Sequence, residues 1–99
     1  PEPTHSATLC NYAGLLKEVV GDVDEAERLL RAAIAAEPSE AMPQVHLGNL
    51  LRESRRNLKG AEKAYKKALD LEPNSVMALL SYAQQLAMNG GVEDLESAE

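Results

Sequence analysis

The chain has 99 residues, a net charge of −6 and 44% hydrophobic residues, with three Tyr, no Trp and no Phe. This length suits one small domain with little room for an enclosed catalytic cavity, and the acidity argues against a nucleic-acid module that depends on phosphate contacts. The single cysteine excludes an internal disulfide, and no apolar run approaches the roughly 20 residues that span a bilayer.

Five helices are predicted along the chain, because apolar residues recur at helical spacing over five stretches. The predicted ranges are 6–20, Val23–Ala36, 41–54, Leu58–Leu71 and 75–89. In the first helix, one apolar stripe contains Leu9, Tyr12, Ala13 and Leu16. The abundance of Ala and Leu and the scarcity of β-branched residues favour closely packed helices over a sheet.

The ends of the second and fourth helices carry clear signals. Asp22 and Asn57 are the predicted N-caps, because a short side-chain acceptor satisfies a free amide at a helix start. Pro38 and Pro73 end these helices, since the residue before a proline is disfavoured in the α region. Polar or glycine-containing turns are therefore predicted between consecutive helices.

The sequence repeats itself with a period of 35 residues. The dipeptide Glu-Pro occurs at residues 2–3, 37–38 and 72–73. Further columns recur in the same phase: Tyr12, Leu47 and Tyr82; Ala13, Gly48 and Ala83; Leu16, Leu51 and Leu86; Ala26 and Ala61. Because separate columns keep one register, each period is predicted to be a pair of antiparallel helices, with Ala and Gly where the two approach closely.

These columns resemble the tetratricopeptide repeat, a helix–turn–helix unit of about 34 residues. The resemblance implies an all-α fold, a right-handed superhelical solenoid of antiparallel helix hairpins. It covers residues 1–99 as one repeat domain, with repeats near 6–40 and 41–75 and a partial repeat near 76–99. The unit is one residue longer than usual, and Leu9, Gln44 and Leu79 occupy a position that is often aromatic. The repeat register at both ends predicts a fragment of a longer protein.

Catalytic chemistry is not predicted. Cys10 lies among apolar residues and is interpreted as a packing residue. His5 and His46 have no nucleophile or metal-ligand cluster near them in sequence, and Gly90-Gly91 lacks a phosphate-binding pattern. We expect a protein that is not an enzyme and that needs no cofactor or metal.

The resemblance implies instead a groove that binds a protein or peptide, lined by the first helix of each repeat. The family's ligand-facing columns match Ala7, Cys10, Gly14, Glu53 and Ala87, together with the residues predicted to contact the partner: Asn11, Met42, Val45, His46, Asn49, Arg52, Met77, Leu80, Ser81, Gln84 and Met88. The amides of Asn49 and Gln84 are suited to an extended peptide backbone, because an amide offers both a donor and an acceptor. Some family members clamp acidic chaperone tails with basic residues; the matching positions here include Cys10, Met77 and Ser81, so that role is not expected.

Two alternatives remain open at this stage. Lysines 59, 63, 66 and 67 are interpreted first as a solvated helix face, since acid–base pairs four residues apart accompany them. With Arg52, Arg55 and Arg56 they form a basic patch for an acidic protein segment or for RNA, as in RNA-processing repeat proteins. The other alternative is a spacer that self-associates weakly through Leu79, Leu86 and Val92. No membrane association is expected, and the compartment is open, with a reducing intracellular one favoured.

Overall fold

The computed structural model describes residues 5–87, and every regular element in this range is helical. The helices are α1 (His5–Leu15), α2 (Val23–Ala36), α3 (Met42–Glu53), α4 (Leu58–Leu71) and α5 (Val76–Gln85). A π-helical turn, Leu16–Val20, follows α1. The predicted all-α fold is confirmed, and the predicted bounds of α2 and α4 coincide with the observed ones. Residues 88–89 of the last predicted helix lie outside the described part.

The predicted N-caps are confirmed. The Glu25 amide donates to Asp22 Oδ1 at 3.1 Å, and the Gly60 amide donates to Asn57 Oδ1 at 2.9 Å. Ser75 caps α5 in the same way, accepting from the Ala78 amide at 3.2 Å. These bonds fix where three of the five helices begin.

The turns after α1 and α3 share a left-handed backbone residue. Gly21 has a φ of +84°, and Arg56, which lies 35 residues later, has a φ of +56°. At the first turn the carbonyl of Leu16 accepts hydrogen bonds from the amides of Gly21 and Asp22 at 2.6 and 2.8 Å. The predicted α-helix over 6–20 is wrong in this respect, because its last five residues form the wider π turn.

Helices α1 and α2 pack as one antiparallel pair, α3 and α4 as the next, and α5 packs on α3 and α4. The main core contains Ala13 and Leu16 from the first repeat and Leu47, Leu50 and Tyr65 from the second. A smaller core joins Ala41, Val45, Ala68 and Ala78 across α3, α4 and α5. Small side chains at these crossings allow close approach of the helices, as the columns of the period predicted.

Tyr12 departs from the predicted apolar stripe, because its side chain is 54% exposed. Its equivalent one period later, Leu47, is buried in the core that includes Leu29 and Leu30 of the preceding α2. Within the described residues, α1 has no preceding helix packed against it, whereas α3 packs against the preceding α2. The same column is therefore buried or exposed according to the neighbouring repeat.

Polar contacts also join the repeats. The Arg55 guanidinium forms ion pairs with Asp24 and Glu27 of α2. Arg52 Nη1 donates to the carbonyl of Ser81 at 3.2 Å, which ties α3 to α5. No helix within residues 5–87 has the length and apolar character needed to cross a membrane.

Candidate functional site

An open cleft of about 460 Å³ lies between α1 and α3. Six of the side chains that line it carry polar groups and belong to the two helices and the π turn: Asn11, Lys17, Glu18, His46, Asn49 and Glu53. On α3, residues 46, 49 and 53 follow the spacing of one helix face. The cleft is thus formed by the first helices of two consecutive repeats, which is the side of the array that the resemblance assigned to a partner.

Asn49 is held in place by the core beneath it. The hydroxyl of the fully buried Tyr65 donates to Asn49 Oδ1 at 2.6 Å. Burial raises the pKa of Tyr65 to about 12, despite the opposing effect of the Arg52 charge, so the hydroxyl keeps its proton and remains a donor. Among the described residues, none accepts a hydrogen bond from Asn49 Nδ2. The amide is therefore fixed through its oxygen and keeps its nitrogen available.

Ion pairs connect the two sides of the cleft. Lys17 Nζ lies 2.8 Å from Glu53 Oε1 and 3.2 Å from Glu18 Oε2. Burial lowers the pKa of Lys17, but its hydrogen bonds to Glu53 and Glu18 outweigh that effect and leave the pKa above its ordinary value. Burial raises the pKa of Glu53, and the hydrogen bonds from Lys17 and Arg52 reverse this, so its pKa is lowered. Both groups are charged at neutral pH.

His46 lies half-buried at the edge of the same cleft. Burial lowers the pKa of its imidazole below 6.5, and the nearby charge of Lys17 lowers it further. The ring is therefore neutral at pH 7. Its environment is that of a polar packing residue beside a cation. Among the described residues that line the cleft, the only thiol or hydroxyl group is the thiol of the buried Cys10.

His46 should make the protein less stable as the pH falls below about 6.5. The unfolded chain binds a proton at this residue near its ordinary pKa, whereas the folded chain does so only at lower pH. More protons are then bound in the unfolded state, so stability rises with pH across this window. Urea unfolding at pH 7 and at pH 5.5 measures the difference, and His46→Gln should remove most of it.

His5→Gln is the matched control for that experiment, because it removes the other histidine of the chain. The carboxylates with a lowered pKa, Glu25, Glu53 and Glu62, contribute little to the difference between pH 7 and pH 5.5, because even their ordinary pKa of 4.5 lies below that range. If the pH dependence survived in His46→Gln and disappeared in His5→Gln, the assignment to His46 would be wrong.

The predicted groove residues differ in how far their side chains are exposed to solvent. The side chains open to solvent are Asn11, Met42, Met77, Leu80 and Gln84, and those that are half-buried are His46 and Asn49. Val45 is fully buried in the smaller core, and Ser81 is 8% exposed. Neither of these two side chains is accessible to a partner in this structure. Met88 lies outside the described residues.

Arg52 is also engaged within the protein. Its side chain is only 9% exposed, and besides the Ser81 carbonyl it contacts Glu53 Oε2 at 2.8 Å. Nη1 stabilises the contact between α3 and α5 through Ser81, and Nη2 is paired with Glu53 of α3 itself. Arg52 is therefore not a free guanidinium available to a peptide in the groove or to RNA.

Three residues that line the cleft were missed by the sequence reasoning: Leu15, Lys17 and Glu18. Lys17 lies three residues after Gly14, a spacing that places two residues near the same face of a helix, and this spacing was the available signal. The π turn was not predictable from that spacing, and it contains two of these residues, Lys17 and Glu18.

The predicted basic patch does not form one surface. Arg52 and Arg55 are paired internally, and Lys66 Nζ lies 3.2 Å from Glu62 Oε2. Within the described residues, Arg56 and Lys59 have no ion pair at all. Three of the seven bases in the predicted patch, Arg52, Arg55 and Lys66, are therefore already paired with this chain's own carboxylates.

No group of three or more metal-ligand side chains comes together anywhere in residues 5–87. Cys10 is 2% exposed and belongs to the main core. Leu79 and Leu86 are 49% and 38% exposed, whereas Val92 is outside the described part, so weak self-association through this end stays a prediction.

Comparison with known families gives two matches. A model described as a tetratricopeptide repeat matches residues 13–76, and a second model with the same description matches residues 64–98. The first match alone spans more than half of the 99 residues. A search of curated proteins finds no match.

Proposed function

Because the chain belongs to the tetratricopeptide repeat family, whose repeats are generally protein-interaction modules, we propose that it binds an extended segment of a partner protein along the inner wall. By inner wall we mean the side of α1, α3 and α5 that carries Asn11, Asn49 and Gln84. Members of this family are typically non-catalytic scaffolds, and we propose the same for this chain.

The observation that carries the proposal is the state of Asn49. Its oxygen is occupied by the Tyr65 hydroxyl at 2.6 Å, which removes most of the side chain's rotational freedom before any partner arrives. The remaining Nδ2 donor borders the open cleft between α1 and α3. A donor that is already ordered loses little conformational entropy on binding a peptide carbonyl, so it contributes more to affinity than a mobile one.

The period supplies further polar groups along the same wall. Gln84 lies 35 residues after Asn49, and its side chain is exposed, as is that of Asn11. Methionines 42 and 77 are 39% and 42% exposed and are also related by 35 residues. Amides that recur with the helical hairpins, separated by adaptable thioethers, suit an extended chain whose backbone is recognised at intervals.

This distribution also identifies which substitutions can test the proposal. Asn49→Ala would leave the buried Tyr65 hydroxyl without its acceptor and would disturb the fold. Asn11→Ala/Gln84→Ala avoids this difficulty, because both side chains are exposed and neither has a hydrogen bond to another described residue. Arg28→Ala/Lys59→Ala, on the exposed outer helices, is the matched control.

The experiment is selection of random dodecapeptides displayed on phage against the unmodified protein, followed by titration of the enriched peptides. Asn11→Ala/Gln84→Ala should bind them about thirtyfold more weakly, since two hydrogen bonds of roughly 1 kcal/mol each are lost. The control variant should bind them as the parent does. Equal affinity for the parent and for both variants would contradict binding at the inner wall, and so would the absence of any enriched peptide.

A further inference from the structure

A second open cleft, of about 440 Å³, lies on the opposite side of α3 from the inner wall. It runs between α2 and α4, and Leu47 and Leu51 are part of its floor. On α3, the lining residues 44, 47 and 51 lie two positions away from 46, 49 and 53, which is about 200° around a helix. The two clefts therefore share no face of α3, and we call this one the outer cleft.

The rim of the outer cleft is basic. Arg31 of α2 stands on one side, and Lys63 and Lys67 of α4 stand on the other. The described residues that line it include no Asp or Glu. Arg31 Nη2 is paired with Glu27 Oε2 at 2.9 Å, whereas Lys63 and Lys67 have no carboxylate within ion-pair distance among the described residues.

Lys63 and Lys67 belong to a stripe of like charge along α4. Lys59, Lys63 and Lys67 are spaced four residues apart, so their charges lie one above the other on one helix face. This arrangement destabilises a helix, because like charges four residues apart repel each other. The equivalent positions of α2, 35 residues earlier, are Asp24, Arg28 and Ala32, which carry no such repulsion. The stripe thus opposes folding locally.

Most other basic side chains in the described residues are ion-paired. Six bases form ion pairs with this chain's own carboxylates: Lys17, Arg28, Arg31, Arg52, Arg55 and Lys66. The bases without such a pair are confined to α4 and the turn before it. Two of these four unpaired bases, Lys63 and Lys67, line the outer cleft, and in a protein of net charge −6 they identify an anion as the complementary ligand.

We infer that the outer cleft docks an acidic peptide segment of a partner protein, with carboxylates on the Lys63–Lys67 rim and one apolar side chain over the floor. The floor supports the second part, because Leu47, Leu51 and Ala64 line it and expose no charge. This surface is separate from the inner wall, so the inference does not depend on the proposed function.

A peptide fits the cleft better than a nucleic acid does. None of the described side chains that line it is aromatic, so none of them offers a stacking platform for a base. A few bases within one short cleft do not form the extended track that a nucleic-acid backbone follows, and the net charge of −6 repels a long polyanion.

The test is a fluorescence-anisotropy titration with a labelled peptide that has four glutamates around a central leucine. A second peptide has glutamine at those four positions, and a labelled single-stranded oligouridine is the third probe. Each is titrated with the parent, with Lys63→Gln/Lys67→Gln, and with Lys59→Gln/Lys66→Gln. The last variant removes the same charge from the same helix outside the outer cleft. All four lysines are exposed, so both variants should fold.

The expected result is binding of the glutamate peptide by the parent, about tenfold weaker binding by Lys63→Gln/Lys67→Gln, and less than about twofold change in the control variant. The glutamine peptide should bind more weakly than the glutamate peptide. The inference is overturned if the two peptides bind alike, if both variants lose affinity equally, or if no peptide binds. Tighter binding of oligouridine than of the glutamate peptide would replace the peptide with a nucleic acid and also overturn it.

Discussion

Truncation of Tyr65 to alanine should lower the free energy of unfolding by about 3–5 kcal/mol, the usual cost of deleting a buried aromatic ring. The side chain is 0% exposed and lies in the main core with residues of α3. Its ring centroid is 6.0 Å from that of Tyr82 on α5, so one side chain supports three helices. Because small domains are stable by only about 5–15 kcal/mol, urea unfolding followed by circular dichroism will register this loss clearly.

Tyr65→Phe is the control, because it keeps the ring and removes only the hydroxyl. Its cost should be about 1 kcal/mol, the usual contribution of one hydrogen bond, here the bond to Asn49. If Tyr65→Ala and Tyr65→Phe were equally destabilised, the hydroxyl and not the packing of the ring would be responsible, and the role assigned to the ring would be refuted.

Replacement of Gly48 with alanine should destabilise the protein by about 1–3 kcal/mol, the cost of overpacking a core. A Cβ at position 48 would lie 2.5 Å from Tyr65 Cε1 and 2.8 Å from Cδ1, well inside van der Waals contact. The ring is fully buried and its hydroxyl is bonded to Asn49, so it has little freedom to move away. We expect a value near the upper end of the range, measured by urea unfolding.

Gly14→Ala provides the matched control, since a Cβ at Gly14 meets no heavy atom within 4 Å. That variant should be unchanged or more stable by about 0.5–1 kcal/mol, because alanine favours a helix over glycine. In a Tyr65→Leu background, the cost of Gly48→Ala should largely disappear, because the ring atoms it strikes are gone. Equal behaviour of Gly48→Ala and Gly14→Ala would exclude the clash as the cause.

The helices were predictable from the sequence because their signals are local. The bounds of α2 and α4 follow from apolar spacing within one segment, and the caps Asp22 and Asn57 act on amides three residues away. The period adds the information that these hairpins stack. No contact between distant parts of the chain is needed for any of these inferences.

The inner wall was predictable only in part, because it depends on how one repeat sits on the next. Val45 and Met42 lie on the same helix, but α5 and α4 cover the first and leave the second 39% exposed. Arg52 is drawn to a carbonyl of α5, 29 residues away, and Arg55 to carboxylates of α2. Such partners depend on the angle between hairpins, and a single sequence does not contain that angle.

The left-handed turn at Arg56 lowers the stability of the protein at a position away from both clefts. A side chain at positive φ costs roughly 1–2 kcal/mol relative to the right-handed regions, and the equivalent turn one repeat earlier avoids this cost with Gly21. Arg56 lines neither the cleft between α1 and α3 nor the outer cleft. The protein can therefore gain stability at a position that lies outside both clefts. Arg56→Gly is therefore the first substitution to make in order to stabilise this protein for other uses, because it removes the backbone strain and leaves the residues of both clefts unchanged.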